Sequence, residues 1–466
     1  MVPSRTFFFC GIGGSGMSSI AQVLLHQGYG VRGSDRSRDR GLNRPLYENL
    51  ADQGVVFFPQ DGSGVDGGVD TLVVSSAVEP TIPDVKVAVE QDIPIQKRAE
   101  VLAWLFNRSL GVAVAGTSGK STVTGMIGHI LQATGRDPTV INGGIMRDAI
   151  SPPYLGNAVC GRRDLLVIEA DESDGTVVLY DPAVAVLTNI SLDHKEMDEL
   201  KRLFGAFCER AQEAVVVNLD CEISAALTKG LSKRVTFGVE NREADVQAKQ
   251  VVALPDGMQF GVNGVGCRLR VPGRHNVANA AAAIAACEVL EVPVAVSAEV
   301  LSGFLGIRRR LEVVGQANGV TVIDDFAHNP DKISASLSAL KFFSGRLLVM
   351  FQPHGFGPTR FLQDGLIEAF ATGLGESDVL AMPEIFYAGG TAQKNISARD
   401  LIEAIGARGR QAEFIEERAL IAQRFADLSR SGDRVVVMGA RDDTLTVFAQ
   451  EVLKLIAARD RAKGFS

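Results

Sequence analysis

The sequence predicts an α/β protein built from three strand–helix units in series. Two glycine-rich turns predict it, each set between an apolar strand-like run and a helix-like run: "CGIGGSGMSS" near the start and "AGTSGKST" at residues 115–122. The third observation is a set of short, continuously apolar runs in the last third, such as "RLLVMFQ" and "RVVVMGA". Runs without polar alternation fit strands covered by helices on both faces of a parallel sheet. The chain has 466 residues, 46% of them hydrophobic and 49 of them glycine. That is enough apolar surface for several full cores, with many tight strand–helix turns.

In the first unit, Thr6 to Asp35 read as strand, glycine loop, helix and strand. The pattern G-x-G-x-x-G falls on Gly11, Gly13 and Gly16, with Gly14 inside it and Asp35 after the second strand. Taken alone, this is a dinucleotide-binding fingerprint, in which a diphosphate rests on loop amides and a helix N-terminus. Short strands follow at "TLVVSSAV" and around Ile93 to Ile95, and a helix from Arg98 to Phe106 closes the unit.

The second unit opens at "GVAVAGTSGKST". Gly116 and Gly119 free backbone N–H groups to face phosphate oxygens, Lys120 adds a full positive charge, and the Ser121 hydroxyl can ligate Mg²⁺. Thr117 and Thr122 belong to the same loop. A Walker loop would place glycine five positions before Gly119, where this chain has Val114. Strands "DLLVIEA" and "PAVAVLTNI", a helix around Glu199 to Arg210, and the strand "EAVVVNL" follow. A β-rich polar stretch from Arg234 to Arg270 then leads into the helix "NVANAAAAIAACEVL". Two strand exits carry chemistry. Glu169 opens the acidic run "EADESDG", which suits Mg²⁺, and "TNISLDH" ends in His194, which can reach a metal or a nucleotide.

The third unit starts near Arg310, with strands "GVTVIDDF", "RLLVMFQ", "DVLAMPEI" and "RVVVMGA". In "VPGRHNVANA", just before it, Asn276 either caps a helix or reads an adenine edge, beside His275. Asp325, at a strand exit, can hold a ribose hydroxyl. The expected domains are 1–107, 108–308 and 309–466.

The ordered motifs "GIGGSGMS", "GSD", "VVSSAV", "GTSGKST", "ADESDG", "LTNISLDH", "VPGRHNVANA", "IDDFAHNP" and "FQPH" together resemble the Mur ligases over almost the full length. The nearest match is to members that join L-alanine to UDP-N-acetylmuramate. The resemblance implies a Rossmann-like UDP-sugar domain, a central P-loop ATPase domain and a mobile, Rossmann-like C-terminal domain that completes the site. It implies an ATP- and Mg²⁺-dependent amide ligase of peptidoglycan precursor synthesis, working through an acyl phosphate. By motif position, Gly11, Gly13, Gly14, Gly16, Ser34, Asp35, Ser75 and Ser76 line the UDP-sugar site. Gly116, Thr117, Gly119, Lys120, Ser121, Thr122, His275, Asn276, Arg310 and Asp325 serve ATP. Ser121, Glu169 and His194 support Mg²⁺; Lys120, Glu169 and His194 form the catalytic set; and His328, His354 and Arg360 fall to the amine.

The chain departs from those members mainly where the amine substrate is expected. Ser118 stands for a histidine, Asn329 for a histidine, Gly355 for an arginine, and Arg441 for a glycine. Loss of a guanidinium removes a bidentate grip on a carboxylate, which leaves Arg360 or Arg441 to replace it. The amine is thus left between L-alanine and a larger amino acid or a peptide, as in cell-wall recycling, and loss of the clamp is expected to make L-alanine a poorer substrate than it is for those members. A dehydrogenase would leave Lys120, Glu169 and His194 unexplained. A regulator that has lost catalysis is the third reading.

Composition narrows the partners. The net charge of −8 supplies no basic stripe for nucleic acid, and the run Arg308, Arg309, Arg310 is better suited to a ligand phosphate. Six cysteines without CxxC spacing predict free thiols and a cytoplasmic setting. The apolar run at the N-terminus reads as a first strand, not a signal peptide, and no stretch approaches the ~20 apolar residues of a membrane span.

Overall fold

A computed structural model describes residues 5–75, 78–172, 175–192, 195–254, 257–387, 393–442 and 444–463. The chain forms two compact units. The first comprises Met1–Val252, Gln259–Arg270 and Asn276–Ile307; the second comprises Ala253–Met258, Val271–His275 and Arg308–Ser466. Three sheets carry the α/β architecture.

The first sheet holds β1 (Thr6–Cys10), β2 (Gly30–Ser34), β3 (Val56–Phe57), β4 (Thr71–Val74) and β5 (Ile95–Lys97) in the order β3-β2-β1-β4-β5. All four pairings are parallel. The order reverses at β1, so the glycine loop that leaves β1 for the helix Ser15–His26 sits at the switch point where such sheets bind ligands.

The second sheet holds β6 (Leu110–Ala115), β7 (Pro138–Ile141), β8 (Ala158–Val159), β9 (Arg162–Glu169), β10 (Val184–Leu187), β11 (Ala214–Asn218), β12 (Arg234–Gly238), β13 (Val246–Leu254), β14 (Gly257–Val262) and β15 (Val265–Leu269). Their order is β15-β14-β13-β12-β11-β10-β6-β9-β7-β8. β6 lies between β9 and β10 and is parallel to both. Three parallel strands therefore deliver the phosphate loop, Glu169 and Thr188 to one end of the sheet.

The third sheet holds β16 (Glu312–Ala317), β17 (Val320–Asp325), β18 (Leu347–Gln352), β19 (Val379–Met382), β20 (Gln411–Phe414) and β21 (Arg434–Gly439), in the order β16-β17-β21-β18-β19-β20. β16 is antiparallel to β17 and the other pairings are parallel. One core takes Ile323, Val349, Leu380 and Val436 from one face, and a second takes Val322, Leu348, Ala381 and Val435 from the other. Burial on both faces is why these strands read as unbroken apolar runs. By contrast, a single core holds Phe7, Phe9 and Phe106 together with Ala113, Ile168 and Leu187. It thus spans the first two sheets, and Phe106 packs edge-on against Tyr180 with ring centroids 5.6 Å apart.

The phosphate-loop helix, Lys120–Ala133, is pinned by His129. Nδ1 lies 2.6 Å from Asp148 Oδ2 and Nε2 lies 2.9 Å from the Val300 carbonyl. Both partners only accept, so both ring nitrogens must donate and the ring is an imidazolium. Burial opposes that charge, but Asp148 and Val300 outweigh it and raise the pKa above the usual 6.5. A raised folded-state pKa adds stability that is full below the unfolded value and is lost as pH rises through the folded value. Stability is expected to fall by on the order of 1 kcal/mol as pH climbs through that window, read as a lower melting temperature. In His129→Gln the same pH step should be flat. An unaltered slope in that variant would assign the pH dependence to other groups.

Candidate active site

The loop between β6 and the Lys120 helix is fixed by the strand exit after β10. Thr117 N–H donates to the Asn189 carbonyl at 3.0 Å, and the Thr117 hydroxyl donates to the Ser191 carbonyl at 3.1 Å. The Asn189 side chain takes both backbone groups of Ser118: Oδ1 accepts from its N–H at 3.0 Å, and Nδ2 donates to its carbonyl at 2.9 Å. The Thr188 hydroxyl donates to the same carbonyl at 2.7 Å. Gly116 and Gly119 have φ of +127° and +91°, a region that favours glycine. With residues 116–118 locked in this way, the first-turn amides of the helix, which have no intrahelical acceptor, are the donors left for an anion. The Ser118 hydroxyl oxygen is buried with no hydrogen-bond partner among the described residues. An orphaned donor of this kind suits a phosphate oxygen.

Lys120 Nζ donates to the Gly116 carbonyl and to Glu172 Oε2, each at 2.7 Å. Burial disfavours its charge, but Glu172, Asp171 and Glu169 outweigh burial and hold the ammonium above the ordinary lysine range. Glu172 lies inside the acidic run that marked this strand exit, yet residue type alone did not single it out as the partner of Lys120. Glu169 Oε2 accepts from Gly143 N–H at 2.9 Å. Ser121 is buried, and its carbonyl accepts from Asn142 Nδ2 at 2.9 Å. His194 and Ser76 lie outside the described residues.

In the first sheet, Asp35 Oδ2 accepts from Gly13 N–H and its Oδ1 from Ser37 N–H, both at 2.8 Å. The carboxylate thus caps the short helix Arg36–Asp39 and braces the glycine loop. Ser34 is fully buried, and its hydroxyl donates to Asp84 Oδ2 at 2.5 Å. Asp84 is itself fully buried, and burial raises its pKa. Asp84 was not legible as part of this site, because it sits in a helix fifty residues further on. Ser75 follows β4 and is half-buried.

Asn276 lies inside the first turn of the helix Arg274–Val289, not at its cap, and its Oδ1 accepts from Asn279 Nδ2 at 3.1 Å. In the second compact unit, burial and then Arg310 push the His275 imidazole down to about 4, so it is neutral near pH 7. Arg310 also lies 4.7 Å from the centre of the Phe326 ring. Asp325 is buried; Oδ1 accepts from Leu311 N–H at 3.1 Å and Oδ2 from the Ser336 hydroxyl at 2.5 Å. Burial raises its pKa.

Past β17, Asn329 caps the helix Pro330–Lys341 by accepting from Lys332 N–H at 2.9 Å. His328 Nδ1 is 2.8 Å from the Phe326 carbonyl, and burial, then Lys332, push its pKa well below 6.5. The ring is neutral, with the proton on Nδ1 and the lone pair on Nε2. Its centroid is 5.6 Å from that of His354. The structure therefore brings these two histidines together past the exits of β17 and β18, the strands that flank β21. It does not bring Arg360 into that pair: this arginine is exposed, with Nη1 2.5 Å from Asn395 Oδ1. Arg441 is exposed with φ +60°.

Comparison with known proteins gives one family along the whole chain. Residues 6–109 match "Mur ligase family, catalytic domain", residues 114–287 "Mur ligase middle domain", and residues 309–441 "Mur ligase, glutamate ligase domain". A UDP-N-acetylmuramate–L-alanine ligase from Desulfotalea psychrophila is 38% identical, covering 93% of this chain and 94% of its own. One from Geobacter sp. is 37% identical, covering 97% and 98%. The solved UDP-N-acetylmuramate-alanine ligase of Thermotoga maritima superposes with a TM-score of 0.77 at 25% identity, covering 98% and 99%. A murein peptide ligase from Psychrobacter arcticus shares the fold, with a TM-score of 0.69 at 23% identity, covering 97% and 99%.

Proposed function

The chain belongs to the Mur ligase family, and from that premise we propose that it joins L-alanine to the carboxylate of UDP-N-acetylmuramate at the expense of ATP, in peptidoglycan precursor synthesis. It is an ATP-dependent acid–amino-acid ligase. The observation that carries the reading is the locked phosphate loop. Asn189 and Thr188 hold residues 116–118, Lys120 is kept cationic by three carboxylates, and the Ser118 hydroxyl has no partner among the described residues. Full-length relatives named for the L-alanine reaction support the substrates, and weigh against the larger amine that Gly355 led the sequence to suggest.

A carboxylate is a poor electrophile because its oxide leaves badly, and transfer of the γ-phosphoryl group supplies a leaving group. The protein's part is charge neutralisation and positioning. An ammonium has three donors, and Gly116 O and Glu172 take two of those on Lys120, so the third serves the β- and γ-phosphates. Gly116, Thr117, Gly119, Ser121 and Thr122 complete the ATP loop, with His275 and Asn276 assigned to the adenine, Asp325 to the ribose and Arg310 to the phosphates. The Ser121 hydroxyl and the Glu169 carboxylate are hard oxygen donors that fit Mg²⁺, and His194 is assigned to the same ion by motif position. Mg²⁺ would neutralise charge on the transferring phosphoryl group. Gly11, Gly13, Gly14, Gly16, Asp35, Ser75 and Ser76 are assigned to the UDP-sugar, with Ser34 acting through Asp84. His328, His354 and Arg360 are assigned to the amine. Domains 1–107, 108–308 and 309–466 divide these tasks.

Activity is placed in the cytoplasm, a setting that fits six free cysteines. No helix among the described residues is long and apolar enough to cross a membrane.

The test is phosphate release with MgATP, UDP-N-acetylmuramate and a panel of L-alanine, other amino acids and short muropeptides. Release should require all three substrates, and kcat/KM should be highest with L-alanine. A larger amine winning would reassign the acceptor. Silence across the panel would remove the ligase reading.

A further inference from the structure

We propose that Arg98 grips the diphosphate of the nucleotide sugar across the N-terminal glycine loop. The inference deepens the proposed function and rests on its assignment of a UDP-sugar to the first sheet. Arg98 opens the helix Arg98–Phe106 directly after β5, two strands from the loop that leaves β1.

Its guanidinium lies against Gly16, the last glycine of the loop and the second residue of the helix Ser15–His26. A Cβ built on Gly16 would fall 2.7 Å from Arg98 Nη1, 3.2 Å from Cζ and 3.3 Å from Cδ. The glycine there is explained by the close approach of this side chain. Arg98 is half-buried, yet no carboxylate among the described residues pairs with it. A half-buried guanidinium without a counter-ion is costly unless an anion visits it.

The charge balance of the loop points the same way. On its other flank the Asp35 carboxylate already occupies Gly13 N–H. Gly11 N–H is also spent, on the Ser34 carbonyl at 2.9 Å. A helix N-terminus offers only about half a positive charge. A diphosphate beside Asp35 needs a full cation, and a planar fork with five donors can bridge two phosphoryl groups where an ammonium cannot.

The experiment is calorimetric titration of the full chain with UDP-N-acetylmuramate, UDP and a non-hydrolysable ATP analogue. Arg98→Met keeps the packing against Gly16 and removes the charge; Arg98→Lys keeps the charge and removes the fork. The dissociation constants for UDP-N-acetylmuramate and UDP should rise about tenfold to a hundredfold in Arg98→Met, and less in Arg98→Lys. The ATP-analogue constant and the melting temperature should stay put, which separates lost binding from lost folding. If both variants bind UDP-N-acetylmuramate as the unaltered protein does, Arg98 is a packing residue and the proposal is overturned. If the unaltered protein binds the ATP analogue but no UDP-N-acetylmuramate, the substrate assignment falls first and takes this inference with it.

Discussion

Lys120→Met is expected to lower ATP turnover by about a hundred- to a thousandfold, the scale of removing one preorganised donor from a charge-developing site. It should also destabilise the protein. Lys120 and Glu172 form a 2.7 Å ion pair with side chains only 12% and 5% exposed. Removing one partner of a buried pair strands the other charge, at a cost of about 3–5 kcal/mol. The double variant Lys120→Met/Glu172→Gln should regain most of that stability, because no carboxylate is left unpaired, while turnover stays low. This split distinguishes the two roles of the lysine. Thermal melts read the first and phosphate release reads the second. Near-normal turnover in Lys120→Met would remove the lysine from the ATP site.

Gly116→Ala is the second large effect. The added Cβ would fall 2.2 Å from Thr188 Oγ1, 2.9 Å from the Asn189 carbonyl and 3.0 Å from its N–H nitrogen. Two of these atoms are backbone and cannot swing aside. The third belongs to the hydroxyl that holds Ser118. The position also has φ +127°, which a side chain rarely adopts. Backbone strain of this sort costs about 1–3 kcal/mol before any clash is counted. The expected result is a lower melting temperature and loss of measurable binding of the ATP analogue, since moving residues 116–118 displaces the Ser118 hydroxyl and shifts the start of the helix whose first-turn amides are left for the phosphates. UDP-N-acetylmuramate binding should survive in whatever fraction stays folded. Unchanged ATP-analogue affinity would mean the loop tolerates the shift, and that its lock to Asn189 does not set the site.

The sequence was most legible where local chemistry and period agree. "AGTSGKST" announces a strand, a turn and a helix, and the structure has them at Leu110–Ala115 and Lys120–Ala133. The helix Arg98–Phe106 and the strands Leu347–Gln352 and Arg434–Gly439 were equally plain, because their apolar runs are long. β16 and β20 were missed: Glu312–Ala317 and Gln411–Phe414 are edge strands, and one-sided burial leaves them mixed in polarity. At the site, residue types were visible but pairings were not. Glu172 with Lys120, Asn189 with Ser118, Asp84 with Ser34 and Arg98 with Gly16 join segments 50 to 82 positions apart. A cap was one of two readings of Asn276, because the run "RHNVANA" hides where its helix begins; the helix starts two residues earlier.

The core shared by the first two sheets has a practical consequence for anyone cutting the gene. A fragment stopping near residue 107 would carry Phe7, Val101 and Phe106 without the residues of the second sheet that cover this core, among them Ala113, Ile168 and Leu187. Its freshly bared apolar face would seek other copies of itself, and such fragments aggregate. Expression of the N-terminal sheet should therefore extend through Ile307, keeping the first compact unit whole.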